Sequence, residues 1–88
     1  MATLIVNAGN DTLVAESYAH AYRRALPFLY AHPRATVAIF DTKKSSHHAT
    51  KTISMDRDGR FIIADYTKNL HTVYYIYYPN TGKLVKRE

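Results

Sequence analysis

The sequence predicts an α+β fold, with one kinked N-terminal helix packed on a twisted antiparallel meander of four or five strands. Three observations predict it. A single long segment, residues 12–31 (TLVAESYAHAYRRALPFLYA), carries apolar residues at helical spacing. After residue 35 the chain breaks into short strand-like runs. The connections between the later runs are short turns, which join antiparallel neighbours and cannot serve as crossovers.

The elements follow in order. Thr3 to Asn7 reads as a first strand, stopped by Ala8-Gly9-Asn10. Asn10 and Asp11 are candidate N-caps, since their side chains can accept from the free amides of a first helical turn. Glu16 suits the positive end of the helix dipole. Val14, Tyr18, Ala21, Tyr22, Ala25 and Leu29 fall on one side of the helix, with Glu16, His20, Arg23 and Arg24 opposite. Pro27 lacks a donor and crowds the carbonyl of Arg23, so a kink or break is expected there. Pro33 biases His32 out of the helical region and ends the element.

Thr36 to Asp41 is apolar on both faces and reads as a central strand. The polar stretch TKKSSHHA follows as a loop. Lys51 to Met55 alternates in the manner of a half-buried strand. A turn at Asp56-Arg57-Asp58-Gly59, with Gly59 left-handed, pairs Met55 with Phe61 and Ile53 with Ile63. A two-residue loop at Lys68-Asn69 would pair Ile63 with Tyr74 and Phe61 with Ile76. Both turns then place Ile53, Met55, Phe61, Ile63, Tyr74 and Ile76 on one face. Pro79-Asn80-Thr81-Gly82 makes the last turn, and Lys83 to Lys86 a basic edge strand that discourages edge-to-edge pairing.

This order, β-α-β-β-β-β, resembles that of the cystatin and monellin folds. The resemblance covers the order of elements only. The cystatin inhibitory hairpin, Gln-x-Val-x-Gly, is missing, and the corresponding loop reads TKKSSHHA. The resemblance therefore implies a fold and carries over no activity and no residues.

Composition narrows the function classes. Eighty-eight residues are expected to form one domain, spanning 1–88. With no cysteine, disulfides and thiolate chemistry are excluded, which favours a reducing compartment. The start MATLIVNAGND has no basic lead before its apolar run, and no stretch is long enough to span a membrane as a helix. A cytoplasmic location is the expectation. A formal charge of +5 favours anionic partners. Eight tyrosines with no tryptophan is the other oddity.

Two surfaces follow from this register. The sheet face away from the helix would carry Ile62, Ala64, Tyr66, Val73, Tyr75 and Tyr77, with His71 beside Tyr66, and no second helix exists to cover it. The loop with Lys43, Lys44, Ser45, Ser46, His47 and His48, followed by Lys51, could meet phosphates or an acidic protein surface, as could Arg23 and Arg24 on the helix back. Adjacent His47 and His48 point apart on an extended chain and chelate poorly, so no metal is expected. A Ser-His-Asp set from Ser45 or Ser46, His47 or His48 and Asp41 has no motif to position it, and no enzyme is expected. The register points Asp65 inward at the rim, where it needs a partner such as Arg34 or a lysine.

The expected function is that of a small non-catalytic binding protein without cofactor. It would act as an inhibitor or adaptor, of the kind a phage or mobile element directs at a larger host protein or nucleoprotein. Homodimerisation through the open face is the simplest form of that reading. The alternative is a module binding single-stranded DNA or RNA with little sequence preference, its tyrosines stacking bases beside the basic loop.

Overall fold

The computed structural model describes residues 3–44, 48–68 and 71–87. One helix lies on an antiparallel sheet of seven strands. In chain order the elements are β1 Leu4–Ala8, β2 Asp11–Ala15, α1 Tyr18–Ala31, β3 Thr36–Asp41, β4 Lys51–Met55, β5 Phe61–Asp65, β6 Val73–Tyr78 and β7 Lys83–Arg87. Across the sheet they run β2-β1-β3-β4-β5-β6-β7. The α+β class is the predicted one. The strand count exceeds four or five, and the order opens β-β-α, which departs from the cystatin and monellin arrangement.

The extra strand comes from the first part of the expected helix. Gly9, at φ 65°, and Asn10 form a two-residue hairpin loop, so Ala8 pairs with Asp11 and Leu4 with Ala15. Left-handed backbone is natural to glycine, and Gly-Asn is a hairpin signal. Leu13 and Ala15 turn toward the helix while Thr12 and Val14 turn away. Asn10 and Asp11 are therefore turn and strand residues, and the N-cap is Ser17, whose side chain accepts from the His20 amide. The helix continues through Pro27 to Ala31, so of the expected kink or break the break does not occur. Proline removes one helical donor there, and the following turn is held by packing of Leu29, which is fully buried.

Beneath the helix, Leu4, Val6, Val37, Ile39, Ile53 and Ile63 form the centre of the core. The helix backbone lies over β2, β1, β3 and β4 and stops short of β5 to β7. Its tyrosines reach further. The Tyr22 ring packs 5.2 Å from Tyr77, and Tyr30 meets Phe61 edge-on at 5.5 Å.

The β4–β5 register is the predicted one, with Met55 opposite Phe61 and Ile53 opposite Ile63. The β5–β6 register is shifted by one residue: Phe61 pairs with Tyr77, Ile63 with Tyr75 and Asp65 with Val73. The strands do not run on to Lys68-Asn69, because β5 ends at Asp65. The Asp65 carboxylate accepts from the Thr67 amide at 2.9 Å, and the Tyr66 amide turns back to the Thr50 carbonyl. The connection therefore spans residues 66–72 (69 and 70 lie outside the described residues). Because the side-chain period of a strand is two, this shift inverts all of β6. Val73, Tyr75 and Tyr77 face the helix side, and Tyr74, Ile76 and Tyr78 face away.

Candidate functional site

The sheet face opposite the helix is covered by no described element. Alternation from the paired register assigns its residues. Val14, Ile5 and Phe40 form an apolar row across β2, β1 and β3. Thr52, Ser54, Ile62 and Ala64 make a flat, small-residue floor on β4 and β5. Beyond it rise the β6 tyrosines. Tyr74 is 47% exposed and Tyr78 44%, against 2% for Tyr77 on the other face. Tyr66, also 47% exposed, continues the outward row of β5 and lies with its hydroxyl 3.4 Å from Thr52 Oγ1.

Each outward-facing β6 tyrosine has a cation directly across on β7. Tyr74 pairs with Arg87, Ile76 with Val85, and Tyr78 with Lys83. Direct cross-strand partners stand about 5 Å apart at Cβ, so ring and charge share one patch of surface. No carboxylate occupies an outward position on β4 to β7 among the described residues. At the end of the sheet where Tyr74 and Arg87 lie, Lys44 and His48 line a shallow groove with Tyr66 and Thr67. The structure thus brings the exposed part of the basic loop against an exposed tyrosine of the open face.

The predicted site residues divide accordingly. Tyr66 and Ile62 occupy the open face, although Ile62 is largely covered by its sheet neighbours. Val73, Tyr75 and Tyr77 do not; the one-residue shift places them under or beside the helix, and Tyr74, Ile76 and Tyr78 take their places. His71 is exposed in the β5–β6 connection. Lys43, Lys44 and His48 are exposed, while Ser45, Ser46 and His47 lie outside the described residues. Arg23 and Arg24 are exposed on the helix, which covers the other face of the sheet, so they cannot share a surface with the tyrosines.

Lys51 is occupied elsewhere. Ile39 has Lys51 as its registered partner, yet its carbonyl also receives the Thr50 amide at 2.8 Å. Two residues facing one make a β-bulge, which turns Thr50 and Lys51 together toward the helix. Lys51 Nζ sits 3.7 Å from Asp65 Oδ2 and 4.3 Å from the centre of the Tyr18 ring. The Tyr18 hydroxyl and Thr50 Oγ1 share a hydrogen bond of 2.8 Å. Asp65, predicted to point inward, does so and takes a lysine as partner. Burial pushes its carboxyl upward, but hydrogen bonds from the Thr67 side chain and amide, with the Lys51 charge, outweigh that and hold it below the usual carboxylate range. Burial raises the Tyr18 phenol, with the Asp41 and Asp65 charges adding to the rise. It raises Tyr22 far more, and the Tyr22 hydroxyl has no hydrogen-bond partner among the described residues. Lys51 and Thr67 satisfy Asp65, and Tyr18 and the Ile39 carbonyl satisfy Thr50, as in a structural cluster around the bulge.

The fold and this face define a small α+β protein with one helix on an open seven-stranded sheet. Compared with known proteins, the chain matches no family model, no curated protein and no solved structure.

Proposed function

We propose that this chain is a non-catalytic binding protein, an adaptor or inhibitor, that docks on a larger protein or nucleoprotein through its uncovered sheet face. One observation carries the reading. A sheet apolar enough to bury a helix on one side presents Tyr66, Tyr74, Tyr78, Val14 and Val85 on the other, each more than a third exposed. Exposed apolar and aromatic surface of this extent marks an interaction site. Tyrosine fits the task, because its ring packs on a partner while its hydroxyl stays hydrated when the face is free. The polar cluster around Asp65 is spoken for by internal partners, which leaves the open face as the better candidate.

The test is a photo-crosslinking residue placed at position 74, on the open face, or at position 23, on the helix back, in cells of the protein's own source. Crosslinks to a macromolecule from position 74 and none from position 23 are expected. Crosslinks from position 23 alone, or equally from both, would sink the assignment of the face.

A further inference from the structure

The open face is not uniform. Its β2–β1–β3 side carries the apolar row Val14, Ile5 and Phe40, while β6 and β7 set rings opposite cations. Along β6 and β7 the order is Tyr74 with Arg87, Ile76 with Val85, and Tyr78 with Lys83. The two tyrosines are four residues apart, about 13 Å along the strand. Tyr66, with Lys44 and His48 across the groove, sets a third ring beside the Lys44 cation at the end of this track.

A second copy of the chain is a poor partner at the β7 edge, and laid face to face over β6 and β7 it would set Lys83 and Arg87 against their own copies with no outward carboxylate among the described residues to answer them. Antiparallel pairing of two β7 edges about Val85 sets Lys83 of each copy opposite Arg87 of the other, and like charges in direct opposition destabilise a sheet. An acidic protein surface would answer the cations but has no regular series of flat groups, each with its own anion, to match three spaced rings. A single strand of nucleic acid answers both. Every nucleotide carries a π-face for a tyrosine and a phosphate for a lysine or arginine. A duplex hides its base faces and would meet only the cations.

We infer that the face binds single-stranded nucleic acid along β6 and β7 toward the Lys44–His48 end, with Tyr66, Tyr74 and Tyr78 stacking on bases and Lys83, Arg87 and Lys44 on phosphates. This rests on the reading of the open face as the docking surface and names its ligand. Recognition is indifferent to sequence, since none of these groups is held to read a base edge.

The test uses the purified full chain and dye-labelled 12-nucleotide single strands of DNA and RNA, with a duplex of equal length and polyglutamate as comparison polyanions. Binding is read by anisotropy and by quenching of the intrinsic tyrosine fluorescence, which no tryptophan obscures. The single strands should bind at least several-fold tighter than the duplex and quench the tyrosines. Three neutralised phosphates give a log–log salt slope of about −2, or about sixteenfold weaker binding between 50 and 200 mM salt. Removing both rings in Tyr74→Ala with Tyr78→Ala should cost about tenfold or more, and Tyr74→Phe with Tyr78→Phe should restore most of it. Lys83→Ala with Arg87→Ala should weaken binding and flatten the salt slope, whereas Arg23→Ala with Arg24→Ala should change neither. All these positions are exposed, and a thermal melt of each variant checks its fold. The inference is overturned if single strands do not bind at 50 mM salt, if the helix-back variant weakens binding as much as the β7 variant, or if polyglutamate binds as tightly as the oligonucleotide. The last result would point to an acidic protein partner. Crosslinks from position 74 to protein, without oligonucleotide binding, would leave the docking face standing and remove only its ligand.

Discussion

Tyr77 and Tyr78 are adjacent in sequence and should behave oppositely when truncated. Tyr77 is 2% exposed, lies on the helix side opposite Phe61 and packs on the Tyr22 ring. Tyr78 is 44% exposed on the face that no described element covers. Removing a buried aromatic side chain costs about 3–5 kcal/mol, because the lost transfer energy is joined by a cavity. Loss of the ring–ring contact with Tyr22 belongs within that range. Truncating an exposed side chain costs roughly 0.5 kcal/mol or less. For a domain of this size, 1 kcal/mol shifts the melting temperature by about 4–8 °C. Tyr77→Ala should therefore melt at least about 12 °C below the parent, and Tyr78→Ala within about 4 °C of it. Total stability of a chain this long is of order 4–13 kcal/mol, so Tyr77→Ala could leave it unfolded at physiological temperature. Denaturant titration followed by circular dichroism gives both values on one scale. If Tyr78→Ala proved the costly substitution and Tyr77→Ala the mild one, β6 would be in the other register. Tyr74 and Tyr78 would then leave the open face, and the proposed ligand track would lose two of its three rings.

Three further substitutions probe the parts that hold this face in place. Tyr22→Phe should stabilise by about 1 kcal/mol, since it removes a buried hydroxyl with no partner; a lower melting temperature would show that the hydroxyl is satisfied after all. Asp65 has a folded pKa below its unfolded value, so its contribution is present above about pH 4 and is lost as pH falls through the folded pKa. Asp65→Asn should be less stable at neutral pH and show a shallower acid loss, and an unchanged acid slope in the melting curve would refute the link. The raised phenols of Tyr18 and Tyr22 act in the opposite sense: their contribution is complete below about pH 10 and is lost as pH rises through the folded values, so Tyr22→Phe should also flatten the alkaline limb. Gly9→Ala should destabilise by about 2 kcal/mol, because the residue is left-handed and its new Cβ would stand 2.9 Å from two atoms of the Phe28 ring; a loss under about 0.5 kcal/mol would mean the hairpin adapts.

The sequence made the middle of the sheet legible because two independent signals agreed there. Asp56 to Gly59 demanded a tight turn, and Ile53, Met55, Phe61 and Ile63 alternated on both sides of it, so the β4–β5 register followed. At β2 the signals competed. Thr12 to Ala15 is short and apolar enough to extend a helical pattern, and Asn10 with Asp11 imitates a cap. The signal that would have decided it was Gly9-Asn10, a hairpin pair, together with Ser17 as a second cap nearer the helix. At β6 the pattern had little to say. VYYIYY is apolar at every position, so a slip of one residue leaves tyrosines on either face. Only the turn could fix the register, and there the Asp65 side chain captured the chain before the expected loop. Asp65 in β5 was read correctly as inward-facing, because the β4–β5 register set by the turn and its apolar neighbours fixed its direction.

The helix is the reason the tyrosines divide as they do. Its backbone lies over β1 to β4 alone, and what lies beyond must be reached by long side chains or left open. Tyr22 and Tyr30 extend to Tyr77 and Phe61, Tyr18 spans to Thr50 and Lys51, and Tyr75 packs against the same core. Five of the eight tyrosines are thus explained by an off-centre helix that must brace a sheet wider than itself. An abundance of tyrosine in the sequence is for that reason weak evidence of a ligand. The proposed binding rests on the remaining three, Tyr66, Tyr74 and Tyr78, whose rings brace nothing on the helix side, whereas Tyr30, although 62% exposed, meets Phe61 edge-on there. A strand that needed only to finish the sheet could carry threonine or valine at positions 74 and 78. Rings there, opposite Arg87 and Lys83, contribute little to the stability of an isolated chain, and the proposed single-stranded ligand would supply the packing they lack.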